Sequence, residues 1–592
     1  MRVLIDFPAT PERLPAPLTT RLQHAFHQPS QVLVAQQPNE VKAILTAVEA
    51  AAYAGQWCVG YVAYEAAHAF DTALQTQPPN NLPLAWFAVF DLATFNQAEA
   101  CPEAASAVYQ TTPWQDQTSS AQFSAHFAQI KNAIAQGDAY QINVTTRLHS
   151  SFSGDPLAYF QALQRGQPNG YSLFIDTPDW QICSVSPELF FDWNGHTLTT
   201  QPMKGTAARG RDSASDEHLA NTLRQSSKEQ AENLMIVDLL RNDLGRVAQT
   251  GTVKVPALFE LQALPTVWQM TSTITAQTRP QTKLVDIFTA LFPCGSVTGA
   301  PKVKAMHIIR ALESTPRGVY CGALGIVRPH ANGKDIHATF NVGIRTVVLQ
   351  NGQAECGIGS GITWDADCQA EQNEFATKQR FLARAAQPFA LLETLKLENG
   401  SYWLLSEHLS RLQRSAAHFA YPFNLAEVEQ TLSQAIEEHP LSAWRVRLLL
   451  DAQGQTRTEC FALDTHTANT IRVELAQQAI HSGDEFLYHK TTQRSLYAPF
   501  QPTTPNVFDT LLWNEQGELT EFTKGNLVVQ LNGQRYTPPV HCGLLAGCLR
   551  EQLLARGEMT ERVILKTELA QAEKIWFINS VRGWLEVDQT NL

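Results

Sequence analysis

The chain has no Cys-x-x-Cys pair, no apolar run long enough to cross a membrane, no internal repeat and no excess of positive charge. Each absence removes a class of protein. The 10 cysteines are scattered and sit in apolar strings such as Val319-Tyr320-Cys321-Gly322, the pattern of reduced, buried thiols rather than of a zinc site or a disulfide framework. The start offers only the short apolar stretch Val3 to Ile5 before Asp6 and a scatter of prolines. That fits neither a signal peptide nor a spanning helix, so a cytoplasmic compartment without membrane contact is expected. A net charge of -12 argues against a nucleic-acid or anionic-membrane surface. What remains, 44% hydrophobic and 17% charged residues over 592 positions, describes a multidomain globular chain acting on small molecules.

Residues 1 to about 120 mix short apolar runs with Pro-rich breaks, which predicts strands joined by long surface loops. Beyond Ser124 the pattern sharpens. Phe127, Ile130 and Ile134 recur at helical spacing up to Gly137-Asp138, and Tyr140 to Leu148 reads as a strand. A helix is predicted from Lys228 to Arg241, and Gly295 to Pro301 opens another that runs to Glu313. Strands follow at Gly322 to Arg328 and His337 to Leu349, then a glycine-dense loop, Gly357 to Gly361, then a helix from Cys368 to Arg384. Ala385 to Pro388 is the expected domain boundary, because a fresh strand, Phe389 to Leu397, begins there and turns at Glu398-Asn399-Gly400 with hairpin chemistry.

Chemistry concentrates at a few points. Lys204 stands between Pro202-Met203 and Gly205, and Glu188 follows Ser186-Pro187 at the end of an apolar strand. Both read as strand edges facing one cleft, where they could form an acid and nucleophile pair. Glu229 and Glu232 are one turn apart on one predicted helix, as are Glu371 and Glu374 on another, so each pair shares a helix face. Two such faces suit magnesium, which takes one or two carboxylates directly and keeps several waters. A glutamate pair of this kind is equally what an ordinary solvated helix presents. Arg345 and Lys378 supply cations for a carboxylate, and Gly359 and Gly361 would let backbone amides approach a bound anion.

These segments, taken in order, resemble the chorismate-utilising enzymes. The resemblance is carried by Gly-Asp-x-Tyr-Gln-x-Asn (Gly137 to Asn143), Ser-Pro-Glu, Lys-Gly-Thr, the run Glu232 to Asp243, and Gly-Ser-Val-Thr-Gly-Ala-Pro-Lys (Gly295 to Lys302). It covers Ser124 to Arg384 strongly, with Gly60 to Glu65 as the recognisable element of a variable part before it. It implies an α+β chain whose residues 1–385, variable over 1–120 and with a chorismate-binding core at 121–385, form a two-sheet α/β sandwich. It also implies substrate contacts at Gln141, Thr298, Tyr320, Arg345, Gly359, Gly361 and Lys378, with Glu229, Glu232, Glu371 and Glu374 around Mg2+. Family members that add water carry lysine where this chain has Gln141, and anthranilate synthases carry alanine where it has Lys204. Gln141 with Lys204 is similar to the aminodeoxychorismate synthase component I branch, in which the lysine attacks ring carbon 2 while a protonated acid, here Glu188, assists loss of the 4-hydroxyl. Gln269 stands where the family often has a histidine associated with pyruvate elimination, and Cys368 replaces a more usual proline. No Gly-x-Cys-x-Gly elbow offers a glutaminase, so ammonia is expected from a separate glutamine amidotransferase subunit.

The C-terminal third carries a second set. Lys490, in His489-Lys490-Thr491-Thr492, with Glu521 downstream, suggests pyridoxal phosphate: an amine to bond the aldehyde and a carboxylate to keep the pyridine nitrogen protonated. Alone they are also what an exposed charge pair looks like. Arg411 on a helix and the helix start Gly547-Cys548-Leu549 could hold the phosphate. Together with Asn579-Ser580-Val581-Arg582-Gly583-Trp584 this resembles the class IV pyridoxal-phosphate family, close to its aminodeoxychorismate lyase branch, over 388–592. The resemblance implies a two-subdomain fold, cofactor contacts at Arg411, Lys490, Glu521, Cys548, Leu549 and Ser580, and a homodimer through this domain. The two halves together predict a bifunctional enzyme making 4-aminobenzoate from chorismate. An anthranilate-type synthase fused to an amino-acid aminotransferase is the alternative, and a chorismate-binding regulatory protein would require loss of the metal carboxylates, all four of which are present.

Overall fold

The computed structural model describes residues 1–8, 21–91, 108–167, 170–210, 213–264, 267–386, 389–419, 421–463, 470–502 and 504–589. Two compact units follow one another, meeting between residues 386 and 387; Gln387 and Pro388 of the expected boundary lie outside the described residues. Among the described residues no helix is long and apolar enough to cross a membrane.

Among the described residues the first unit is built from two ten-stranded sheets. Strands Trp57–Val62 and Ala85–Phe90 explain why: almost every residue is apolar and buried, so both faces must be covered. Val59, Tyr61, Trp86, Ala88 and Phe90 point toward the other sheet and pack with its Val3, Ile5, Leu173 and Ile182. Their neighbours Cys58, Val62, Phe87 and Val89 point the opposite way, against Val41, Leu45, Val48 and Ala52. Those four belong to helix Pro38–Tyr53, in a region expected to hold strands and loops. Its alanines give weak contrast between faces, which hides a helix from a reading by periodicity.

The chain passes between the sheets at two adjacent points. Strand Gln181–Ser186 belongs to one sheet and Leu189–Trp193 to the other, so Pro187 and Glu188 form a crossing. The run expected as a single strand, His337 to Leu349, is likewise two: Ile336–Val342 in one sheet and Thr346–Gln350 in the other, broken at Gly343 to Arg345, where Arg345 has φ 52°. The crossings are stitched together by Val342 N–H to the Glu188 carbonyl (3.0 Å), Val185 N–H to the Arg345 carbonyl (3.0 Å) and Ser186 Oγ to the Val342 carbonyl (2.6 Å). This places Glu188 and Arg345 side by side at the gap between the sheets.

Three further expectations are corrected. Gly357 to Gly361 is not a loop but the middle of strand Gln353–Ile362, paired along its length with Gln141–Gly154. The predicted helix from Cys368 to Arg384 is two, Cys368–Lys378 and Arg380–Ala386. The helix expected to end at Arg241 runs on, as Ser227–Gly245.

The second unit has two sheets of its own. A four-stranded sheet containing Leu391–Glu398 and Ala443–Leu450 packs Leu391, Leu395, Leu448 and Leu450 against Leu412, Ala416, Phe419, Val428 and Leu432 of helices Leu405–Phe419 and Leu425–Glu438. Its first hairpin turns at Asn399 and Gly400, both at positive φ (49° and 76°), as a two-residue primed turn demands. An eight-stranded sheet follows, with helix Cys548–Ala555 packed on it through Cys548, Leu549 and Leu553.

Candidate active sites

Lys204 lies on strand Met203–Ala208, whose register with Val267–Gln277 slips between Met203 and Thr206, so that Lys204 and Gly205 together oppose Met270. Gly205 has φ 94°, which only glycine adopts without strain. The bulge re-aims the lysine off the sheet. Its carbonyl accepts from Asn233 Nδ2 (3.1 Å) and that of Gly205 from Gln269 Nε2 (2.9 Å), which fixes the backbone beneath the amine. Gln269 is further tied by the Thr206 hydroxyl (3.2 Å), so both ends of its side chain are spent on this strand.

The amine points across the cavity at strand Gln353–Ile362. Gly357, Gly359 and Gly361 share one face of that strand, and a Cβ on each would overlap the Tyr320 ring, approach Tyr320 Oη (2.9 Å), or overlap Lys204 Nζ and approach Gln141 Nε2 (2.7 Å), respectively. The glycines are therefore there to vacate space, a different reason from the loop amides expected. Gln141 is fully buried, and neither its oxygen nor its nitrogen has a partner among the described residues. An amide left so costs stability unless a ligand completes it.

Glu188 is buried in the same cavity, with Oε1 lacking a protein partner. Burial pushes its carboxyl up to about 7, against the opposing pull of the Ser296 hydroxyl, the Met203 backbone and the Lys204 ammonium. It therefore keeps its proton closer to neutrality than an ordinary glutamate does. Arg345, brought down to about 10 by burial, also lines the cavity, and its guanidinium donates to the Lys378 carbonyl. Lys378 reaches the Gly359 carbonyl (2.8 Å) and Glu374 (2.5 Å). Tyr320 lines the wall beneath Arg147 (5.1 Å to the ring centre). Thr298 does not: it is fully buried, its hydroxyl donates to the Cys294 carbonyl (3.1 Å), and Ser296 faces the cavity instead.

All four glutamates line this cavity. Ser226 and Asp367 cap the two helices, which puts Glu229 and Glu371 in first turns, where the helix dipole favours negative charge. Burial, then the neighbouring Glu232 charge, raises Glu229; burial, then the Glu374 charge, raises Glu371, whose Oε2 has no protein partner. Burial also opposes charge on Glu374, but Lys378 holds its carboxyl below the usual range. All-oxygen donors, mutual repulsion and an orphaned buried oxygen fit Mg2+. Among the described residues the only three potential ligand atoms within 4.8 Å of one another are elsewhere, on Glu393, His408 and Cys548, so an ion among these glutamates would have one or two direct carboxylates and the rest water.

Sequence reasoning missed the support of the far wall. Arg317, fully buried, grips Glu313 through two bonds (2.9 and 2.7 Å) and donates to the carbonyls of Val297 (2.8 Å) and Asn143 (2.9 Å), both cavity residues. Glu65, from the Gly60 to Glu65 element, accepts the backbone N–H of Arg317 (2.7 Å) and Gly318 (2.8 Å). The charge pattern Glu313-x-x-x-Arg317 was a visible signal for the pair.

In the second unit, Lys490, Glu521, Arg411, Cys548, Leu549 and Ser580 line one cavity. Burial, then Arg411 and Arg494, brings Lys490 down to about 8; burial pushes Glu521 up to about 7, although it accepts from Tyr497 Oη (2.8 Å) and Leu545 N–H (3.2 Å). An amine made easier to deprotonate, a buried carboxyl and a helix N-terminus fit pyridoxal phosphate. A Cβ on Gly547 would approach Asn526 Oδ1 too closely for any real side chain, so the Asn526 amide packs directly against the residue before the helix start. Arg411 is partly committed: Nε and Nη2 hold Glu393 (2.9 and 2.5 Å) and Nη1 the Ala546 carbonyl (3.1 Å), so its bidentate edge faces Glu393 and a phosphate would meet only the remaining N–H groups.

An acid and a lysine in a glycine-lined cavity, flanked by two glutamate helices, give the first unit the makings of an enzyme domain. The sequence model of the family described as chorismate binding enzyme matches residues 10–384, and the chain belongs to that family. The model described as amino-transferase class IV matches residues 390–590, so a class IV domain follows. Aminodeoxychorismate synthase component 1 of Escherichia coli is 40% identical over 264 residues, covering 45% of this chain and 57% of that protein. Anthranilate synthase component 1 of Streptomyces coelicolor is 33% identical over 374 residues, covering 56% of this chain and 72% of that protein. The crystal structure of anthranilate synthase component I from Streptococcus pneumoniae superposes with a TM-score of 0.50 at 23% identity, over 64% of this chain and 89% of that one, a likeness of fold. The chain thus spans little more than half the length of its aminodeoxychorismate synthase relatives.

Proposed function

We propose that the chain makes 4-aminobenzoate from chorismate and ammonia in two steps, amination in the first unit and pyruvate elimination in the second. The observation that carries the first step is that Lys204 and Glu188 line one cavity, with the unpartnered Gln141 amide beside Gly361 of its wall. The 40% identity to aminodeoxychorismate synthase component 1 of Escherichia coli supports it.

Lys204 Nζ attacks ring carbon 2 as the bond from carbon 4 to its hydroxyl breaks, and Glu188 donates the proton that lets the hydroxyl leave as water. Ammonia then bonds to carbon 4 and the lysine amine departs from carbon 2, restoring the ring double bonds. Arg345 and Lys378 balance substrate carboxylate charge. Glu229, Glu232, Glu371 and Glu374 would hold magnesium, which when bound anchors a carboxylate and withdraws electron density. Gln269, hydrogen-bonded at both ends, has no free base to offer for pyruvate loss here. The name "component 1" borne by the relatives supports a partner component as the ammonia source.

For the second step, pyridoxal phosphate when bound supplies an electron sink conjugated to the substrate nitrogen. Lys490 would bond the cofactor's aldehyde and, when free of it, would take the proton from ring carbon 4, and Glu521 would hold the proton of the pyridine nitrogen. Pyruvate leaves as the ring becomes aromatic. Separate variants test the division: Lys204→Ala should stop chorismate amination while added aminodeoxychorismate is still converted, and Lys490→Ala the reverse. Loss of both activities in either variant would refute the two-site reading.

A further inference from the structure

Two residues of helix Leu405–Phe419 reach the start of helix Cys548–Ala555, where a phosphate would meet backbone N–H groups that have no partner within the helix. His408 and Arg411 are three residues apart and so share a face. Arg411 Nη1 donates to the Ala546 carbonyl (3.1 Å), and Cys548 Sγ lies 3.5 Å from His408 Nδ1. Glu393, on strand Leu391–Glu398, ties the two side chains together: its carboxylate accepts from Arg411 Nε and Nη2 (2.9 and 2.5 Å) and from His408 Nδ1 (2.6 Å). All four side chains are buried. Burial opposes charge on Glu393, yet the Arg411 guanidinium and then His408 hold its carboxyl down to about 2, so it is ionised near neutrality. Burial keeps His408 below the usual imidazole range. A neutral ring against a carboxylate carries its proton on Nδ1, which leaves Nε2 a buried acceptor without a partner among the described residues.

An apolar side chain would avoid the cost of that orphaned nitrogen, so the ring is of use here only through Nδ1. Glu393, His408 and Cys548 bring three potential ligand atoms within 4.8 Å of one another, but both carboxylate oxygens are held by Arg411, and a metal ion would stand against that guanidinium. The cluster is a hydrogen-bonded brace. We propose that Glu393 and His408 are positioning residues for the cofactor's phosphate: they lock Arg411 to the start of helix Cys548–Ala555, the two elements that would share that group. Arg411 and Cys548 line the second cavity, whereas Glu393 and His408 stand behind them and act only through them. An unbraced arginine would have to be ordered as the phosphate binds, and the brace removes that entropic cost beforehand. The inference rests on the reading of pyridoxal phosphate at Lys490.

The test titrates the full-length chain, freed of cofactor, with pyridoxal phosphate and separately with pyridoxal, which has the same ring and aldehyde but no phosphate. Binding is followed by the near-visible absorbance of the protein-bound aldehyde. Glu393→Asp keeps the charge and shortens the reach, His408→Leu removes the donor, and His408→Asn keeps an N–H close to the place of Nδ1. Glu393→Asp and His408→Leu should each raise Kd for pyridoxal phosphate about tenfold or more, the scale of one lost hydrogen bond to a charged group, while Kd for pyridoxal stays within about twofold. His408→Asn should recover most of the loss seen with leucine. Pyridoxal phosphate bound as in wild type by both Glu393→Asp and His408→Leu would overturn the proposal. An equal loss of both aldehydes would overturn it too, because it would make the brace a general support of the fold. A wild type that binds neither aldehyde would refute the cofactor reading itself and this proposal with it, whereas a wild type that binds both leaves the variants to decide the proposal alone.

Discussion

Lys204 and Gly361 are fitted to one another: the lysine amine stands where a side chain on Gly361 would begin, and a Cβ there would fall well inside 3.0 Å of Nζ. The glycine leaves the space that the amine occupies, and its neighbours on the strand keep regular pairing with Gln141–Gly154. Gly361→Ala should therefore displace the amine and the Gln141 amide together and lower the rate of amination by about 100-fold, the scale of a 1 Å misplacement of reacting groups. Conversion of added aminodeoxychorismate should be unchanged. An alanine variant with wild-type amination would show that the amine at that position is not the reacting group.

Glu188 sets the pH dependence of the first step. Its carboxyl sits near 7 because it is buried, and it must be protonated to act. At fixed free ammonia, kcat/KM for chorismate should fall as pH rises through about 7. Glu188→Gln should lower the rate by about 10²- to 10⁴-fold. The folded pKa is raised, so the folded state holds its proton longer than the unfolded chain, and stability is lost as pH rises from the ordinary glutamate range through about 7. The glutamine variant escapes that loss and should melt no lower than wild type at pH 8. A lower Tm would assign the lost activity to damage of the fold.

Much of this site was legible in the chain, and for a physical reason. Glu188, Lys204 and the glutamate pairs sit in short local patterns, a strand end, a bulge glycine and two first helical turns, whose chemistry is written within a few residues. What escaped depends on pairing across the chain. The glycines of 357–361 read as a loop because nothing local reveals that Tyr320 and Lys204 press on them from elsewhere. The run from His337 to Leu349 keeps β-prone residues on both sides of Gly343, so periodicity does not mark where it changes sheets. Thr298 looked like a ligand by its place in a motif, while its hydroxyl is spent on a carbonyl four residues back. Arg411 was recognisable as a phosphate group's partner, but Glu393, which holds its bidentate edge, is 18 residues away on another element.

The glutamates make amination dependent on a divalent cation. Chelation by EDTA should abolish ammonia-dependent consumption of chorismate and added magnesium should restore it, with no effect on pyruvate release from aminodeoxychorismate. Glu371→Gln should raise the magnesium concentration needed for half-maximal rate by about tenfold or more, and removing one of four repelling carboxylates should not lower Tm. Full amination in EDTA would contradict a metal role for this cluster.

Lys490 should carry the cofactor. Lys490→Ala is expected to lose the near-visible absorbance of protein-bound pyridoxal phosphate after desalting, and to accumulate aminodeoxychorismate from chorismate and ammonia. Absorbance retained at the wild-type level would place the covalent link on another amine.

The most direct measurement is the mass and retention of the products formed from chorismate, ammonium and magnesium, with and without pyridoxal phosphate. Without the cofactor the product should be aminodeoxychorismate, with no pyruvate released; with it, 4-aminobenzoate and an equal amount of pyruvate. Anthranilate in either incubation, or pyruvate release that does not depend on the cofactor, would contradict the assignment of Lys204 to amination at ring carbon 4.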